Sequence, residues 1–211
     1  MKWGDLLALV GREPVFTSAL LKTRGVSEPE IRLQLSRWTS AGKLLQLRRR
    51  VYAIAPPYRK IEPHPFLIAN HLRRASYVSL QSALAHHGMI PELVPVTTSI
   101  TTGRPEQLET PLGPFAFRHM KPALFFGYHQ VEVERGQQAF VARPEKALLD
   151  LIYLTPGAGQ ESYLEELRLQ RLEVFDQEAL TDLAARFSKP KITRAADMLL
   201  DILDSEVKDT V

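Results

Sequence analysis

Apolar residues recur with helical spacing early in the chain and then switch to the pattern of strands. Trp3, Leu6, Leu7, Leu9 and Val10 form one helical stripe, stopped by Gly11 and Pro14. Thr17 can N-cap a short second helix carrying Ala19, Leu20 and Leu21, with Gly25 as its left-handed C′ residue. Ser27-Glu28-Pro29-Glu30 is a capping box with proline in the first turn. From that start Ile31, Leu35 and Trp38 fall on one face, and Gly42 ends the helix. Leu44, Leu45 and Leu47 then precede Arg48-Arg49-Arg50, and Val51-Tyr52-Ala53-Ile54 follow. Two β-prone runs flanking a basic turn predict a hairpin. Three helices and a hairpin in this order predict a winged helix-turn-helix over residues 1–55.

Four prolines occur in the eleven residues Ala55–Pro65. Proline continues neither a helix nor a ladder, so residues 56–65 read as a semi-rigid linker. The second domain, 66–211, begins with a helix over Pro65–Arg73. A helix capped by Ser79 follows, through Leu80, Ala83, Leu84 and His87, and Gly88 closes it. Strands are expected over Val96–Thr102, Phe115–His119, His129–Glu134 and Gln138–Ala142, with a turn at Thr110–Pro114. Arg143-Pro144-Glu145-Lys146 opens a further helix, and 161–187 and 191–205 are helical by period. The predicted class is α+β: an N-terminal winged helix-turn-helix, then a mixed domain with a small, mostly antiparallel sheet and C-terminal helices.

Composition narrows the chemistry. The chain has 211 residues, 45% apolar and 24% charged, in the range of ordinary globular proteins. It contains no cysteine, which excludes disulfides, thiolate-ligated metals and a thiol nucleophile. Apolar runs such as Leu6–Val10 and Ala147–Leu149 fall far short of the roughly 20 residues of a membrane span. The N-terminus lacks a signal-peptide pattern, so a soluble cytoplasmic protein with no membrane partner is expected. The net charge of +3 hides a strong asymmetry. Residues 1–60 hold 12 Lys and Arg against 4 Asp and Glu, an excess of +8. Residues 61–149 carry +1 and residues 150–211 carry −6. A basic head on an acidic body points to a polyanion partner for the head.

Candidate contacts follow from this. Measured from Ile31, Arg32, Ser36 and Ser40 fall at about 100°, 140° and 180° on the third helix, and Arg37 at about 240°. They lie opposite or beside the buried stripe and can enter a major groove, where Arg reads guanine and Ser a base edge or phosphate. Arg48, Arg49 and Arg50 suit phosphate or a narrow minor groove. Thr17 and Ser18 add hydroxyls at a helix start. Leu33 is an apolar residue on the same outward face.

The chain resembles the AbiEi-type antitoxins of type IV bacterial toxin–antitoxin systems. The resemblance rests on "LLQLRRRVYAI", "YVSLQSALAHHGMIPE", "TTSITTGR", "TPLGPFAFRHM" and "ARPEKALLDLIYL", whose order covers the chain to about residue 155. It departs at Arg50-Val51, where relatives often carry Arg-Gly. The resemblance implies a DNA-binding antitoxin that represses its own operon through double-stranded operator DNA. A two-fold operator would suggest cooperative binding of two or more copies. It also implies a body that counters a nucleotidyltransferase-like toxin encoded beside it. The acidic segment 150–211 could dock a basic toxin surface.

Other candidate groups carry less. His86-His87 are adjacent on a helix and point about 100° apart, which does not suit one metal ion. Glu132 and Glu134 share a strand face and could serve a metal-dependent nuclease. Glu145 and Lys146 suit a helix start, or recognition of a toxin. There is no phosphate-binding glycine loop and no nucleophile elbow. The expectation is no catalytic residue, no metal and no cofactor. The alternatives are a ligand-responsive winged-helix transcription factor without a toxin partner, or a winged-helix-targeted nucleic-acid-processing enzyme.

Overall fold

The computed structural model describes residues 1–24 and 26–209. Helix α1 (Trp3–Val10) leads into strand β1 (Val15–Thr17) and a 3-10 segment, Ser18–Arg24. Helix α2 (Glu28–Ser40) and strands β2 (Leu44–Arg48) and β3 (Val51–Ile54) complete the N-terminal region. The capping box forms as expected: Glu30 accepts from the Ser27 backbone N–H at 3.1 Å and from its hydroxyl at 2.7 Å. Strand β1 is absent from the sequence-based expectation, and Thr17 ends it immediately before the 3-10 turns. Gly25, expected as a C′ residue, lies outside the described residues.

These strands form an antiparallel sheet in the order β1-β3-β2. Every residue of β3 is buried, and the alternation of side chains shows why. Tyr52 and Ile54 join Phe16 and Leu44 in a core with Leu6, Leu21, Ile31, Leu35 and Trp38. Val51 and Ala53 face the other way and join Val15 and Leu47 in the core of the rest of the molecule. The small sheet is therefore covered on both sides, and the basic head is seated on the body through helix α3 (Pro65–Leu72), which packs against β1.

The intervening segment is held at both ends. Tyr58 packs edge-on to Trp3 with ring centroids 5.3 Å apart. The amide of buried Gln137 donates to the Glu62 carbonyl at 2.9 Å and accepts from the His64 N–H at 2.8 Å.

Beyond α3 lie β4 (Ser76–Val78), α4 (Leu80–His86), β5 (Thr97–Thr101), β6 (Glu106–Thr110), β7 (Gly113–His119), β8 (Tyr128–Glu134) and β9 (Gln137–Ala142). They form a six-stranded sheet in the order β6-β7-β5-β4-β9-β8. The sheet is mixed rather than mostly antiparallel, because β4–β9 and β5–β7 pair in parallel. Parallel pairs need long connections, and the chain from β4 to β9 runs through α4 and four intervening strands. All three residues of β4 are buried, as expected of a central strand covered on both faces.

Helices α5 (Pro144–Leu154), α6 (Glu161–Glu166), α7 (Gln177–Phe187) and α8 (Pro190–Asp209) close the body. The segment expected to be helical over 161–187 is interrupted. Arg168 and Arg171 adopt left-handed backbone, and Asp176 starts α7 by accepting from the Ala179 N–H at 3.0 Å. On α8, Ile192, Ala195, Ala196, Leu199 and Leu203 form the buried stripe. Among the described residues, no helix is long and apolar enough to cross a membrane.

Candidate functional site

Helix α2 presents Ile31, Leu35 and Trp38 inward, and this leaves Arg32, Ser36 and Ser40 on its solvent face. The hairpin β2–β3 rises beside that face. Between them lies a groove of about 440 Å³ that gathers Arg32, Ser36 and Ser40 with Ser18, Arg49 and Arg50. Six of the nine residues expected to touch a polyanion thus converge. Lys22, Glu28, Thr39, Gln46 and Tyr52 also line the groove and are absent from that expectation. Gln46 and Tyr52 are legible in principle: they pair directly across the hairpin, on the face opposite Val51.

The remaining three residues go elsewhere. Arg37 is exposed in the last turn of α2, outside the groove lining, where a cation complements the helix dipole. Thr17 faces a different cleft, one of about 390 Å³ between head and body that also includes Leu67, His71, Arg74 and Phe140. Arg48 parts from its two neighbours: β2 and β3 slip register between Gln46 and Arg48, and its guanidinium turns to the body. It donates to the Leu72 carbonyl at 2.9 Å and to both carboxylate oxygens of Glu106 at 3.3 and 3.1 Å. Arg73 binds the same carboxylate and lies over the Phe117 ring. Arg48 is thus a clasp between the hairpin and β6. Arg48→Ala is expected to lower stability by about 1–2 kcal/mol, because a bidentate, half-buried pair is removed and Glu106 keeps only Arg73. Thermal unfolding measures this.

The groove is cationic and open. Among the described residues its lining has four cations, Lys22, Arg32, Arg49 and Arg50, against one carboxylate, Glu28. Glu28 is 3.3 Å from Arg50 and 3.4 Å from Lys22. A hydrogen bond from Lys22, followed by its charge and those of Arg50 and Arg32, holds the Glu28 carboxyl below its ordinary range. Arg49 is exposed, and among the described residues its side chain makes no hydrogen bond or ion pair. Arg50 stands at φ 72°, a left-handed conformation usually left to glycine. The turn between β2 and β3 needs a left-handed residue, and here an arginine fills that position. Leu33 is half exposed on the outer surface of α2, and nothing in the structure explains it.

The other candidate groups are engaged in the fold. His87 Nε2 is 2.9 Å from the Ala142 carbonyl, while His86 packs edge-on to Phe66. His86 is exposed overall, and partial desolvation, with His87 and His64 nearby, holds it below its ordinary value. Glu132 accepts from the Gly136 N–H at 3.1 Å in the β8–β9 turn, and a register shift separates it from Glu134, which pairs with Arg135. Glu145 and Lys146, candidates for partner recognition by sequence, are both buried. Glu145 accepts from the Asp176 N–H at 2.9 Å. Lys146 pairs with Asp150 and donates to the Tyr77 hydroxyl at 2.9 Å, and Tyr77 and Ser79 both donate to Asp150, at 2.9 and 2.8 Å. Burial pushes the Asp150 carboxyl up and the Lys146 amine down, and the ion pair opposes both shifts. These residues hold the sheet to α5 and are not a surface that a partner can touch.

No family model matches the chain, and no curated protein matches it. Among solved structures, the crystal structure of the Rv2827c protein from Mycobacterium tuberculosis is similar, with a TM-score of 0.57 and 18% sequence identity. The likeness covers 93% of this chain and 74% of that one. At this identity it speaks to the fold alone.

Proposed function

We propose that this protein is a winged-helix DNA-binding autorepressor and the antitoxin of a type IV, AbiE-like toxin–antitoxin system, counteracting a nucleotidyltransferase-like toxin. One observation carries the DNA-binding half. The outward face of α2 and the tip of the β2–β3 hairpin bring Arg32, Ser36, Ser40, Arg49 and Arg50 to one open cationic groove. A helix in the major groove with an adjacent hairpin on the backbone matches that layout, with Arg32 reading a base edge and Arg49 and Arg50 binding phosphate. The antitoxin half rests on the sequence resemblance. In this reading the body acts as a separate surface, while the head seated on it works at the operator.

The test uses the full chain, because head and body share a core. The wild type should shift a duplex from its own promoter and should rescue growth when the neighbouring gene product is co-expressed. Arg49→Ala/Arg50→Ala should lose the shift and keep the rescue. Loss of both together, or rescue by neither form, counts against the division of labour. A ligand-responsive regulator without a toxin is the second reading. It is favoured by the cleft at the head–body junction, where Glu13, His71 and Arg74 meet Phe140. Under that reading the adjacent gene encodes no growth inhibitor.

A further inference from the structure

We infer that Glu28 is a specificity gate for the groove: it occupies two of the groove's cations in the free protein and so weakens binding to arbitrary duplexes. The inference rests on the DNA-binding reading above. Among the described residues, Glu28 is the one carboxylate in a lining with four cations. Its two oxygens are divided between Arg50, from the hairpin, and Lys22, from the 3-10 segment. Glu28 therefore ties together the elements that flank the first turn of α2.

Two ordinary explanations for this placement fall short. Exposed ion pairs of this kind stabilise a fold very little. Nor does α2 need Glu28 to start, since Glu30 closes the capping box on both the N–H and the hydroxyl of Ser27. What Glu28 does change is the reception of a polyanion. A phosphate approaching Arg50 or Lys22 must displace the carboxylate and then remain near its negative charge. A base edge that offers a hydrogen-bond donor, such as the cytosine amino group in the major groove, would instead satisfy it. Glu28 thus penalises the backbone contacts that every duplex provides and relaxes the penalty only at a sequence that supplies a donor. This is discrimination by repulsion of the wrong partner.

The experiment measures binding of the full chain to two duplexes over a series of salt concentrations: one from its own promoter, one of the same composition in shuffled order. Glu28→Gln is expected to tighten binding to the shuffled duplex by about fivefold, because a like charge near phosphate is removed. It should also steepen the log–log salt dependence by about 1–2, as Lys22 and Arg50 become free for phosphate. The promoter duplex should gain less, so that the ratio between the two falls. Glu28→Asp keeps the charge and should stay near wild type. The gate is overturned if Glu28→Gln leaves the shuffled duplex unchanged or weakens it, weakening being the result for a residue that only supports the helix start. Glu28→Asp behaving like Glu28→Gln overturns it as well. A wild type that binds neither duplex at low salt instead removes the DNA-binding reading on which the gate stands.

Discussion

Replacing Lys146 with methionine is expected to cost about 3–5 kcal/mol of folding stability, the usual penalty for leaving one member of a buried ion pair alone. The site makes the sign clear. Lys146 and Asp150 are both fully buried, one turn apart on α5. The ammonium sits between the rings of Tyr77, Phe126 and Phe187, each about 5 Å away. Its aliphatic stem packs so closely on Gly127 that a side chain there would meet Lys146 Cγ at 3.0 Å. Methionine fills that channel with similar bulk, so cavity formation is small and the loss comes from Asp150. The carboxylate would keep the Tyr77 and Ser79 hydroxyls but lose its counter-charge. Natural domains are stable by only about 5–15 kcal/mol, so urea unfolding should show a large fall in midpoint. The double variant Lys146→Met/Asp150→Leu should recover part of it, because the unpaired buried charge is gone although the Tyr77 and Ser79 hydroxyls lose their acceptor. A single variant that loses less than about 1 kcal/mol would show that the pair is neutral or hydrated in the folded protein.

The fate of Lys146 shows where sequence reading reaches and where it stops. Helix α2 is legible because Ile31, Leu35 and Trp38 repeat at the period of one buried face, and Ser27 with Glu30 announces its start. The hairpin is legible because two β-prone runs flank a basic turn. Strands β1 and β4 are too short to establish alternation, each having three residues. Strand β6, Glu106-Gln107-Leu108-Glu109-Thr110, has one apolar residue and is held by pairing with β7 and by Arg48 and Arg73. None of these partners is local. Glu106 is 58 residues from Arg48, so three adjacent arginines look equivalent in sequence although one of them serves the fold. Likewise Arg-Pro-Glu-Lys has the composition of an exposed helix start, and only the packing of α5 beneath Tyr77, Phe126 and Phe187 reveals Lys146 as interior. Period and capping are encoded within a few residues; the destination of a charged side chain is set by segments brought together through the fold.

If the groove binds duplex DNA as proposed, stability and binding should move in opposite directions at the hairpin tip. Arg49→Ala/Arg50→Ala is expected to weaken binding to every duplex sequence and to reduce the salt dependence by about 0.9 for each phosphate no longer neutralised. Arg32→Ala should instead cost roughly 1–3 kcal/mol at one operator position and little elsewhere, because a base contact carries sequence information and a phosphate contact does not. Arg50→Gly is the sharper probe. Arginine at φ 72° holds a conformation that costs an L-residue about 1–2 kcal/mol, and glycine adopts it freely. Part of that relief is returned through the greater freedom of glycine in the unfolded chain. The salt bridge to Glu28 is exposed on both sides and its loss should matter little to the fold. Arg50→Gly should therefore unfold at a temperature equal to or above that of the wild type while binding DNA more weakly. The strained arginine is then a charge retained for its partner at the expense of the turn. Unchanged duplex binding by Arg50→Gly and by Arg49→Ala/Arg50→Ala would remove the hairpin from the mechanism and leave α2 as the sole reader.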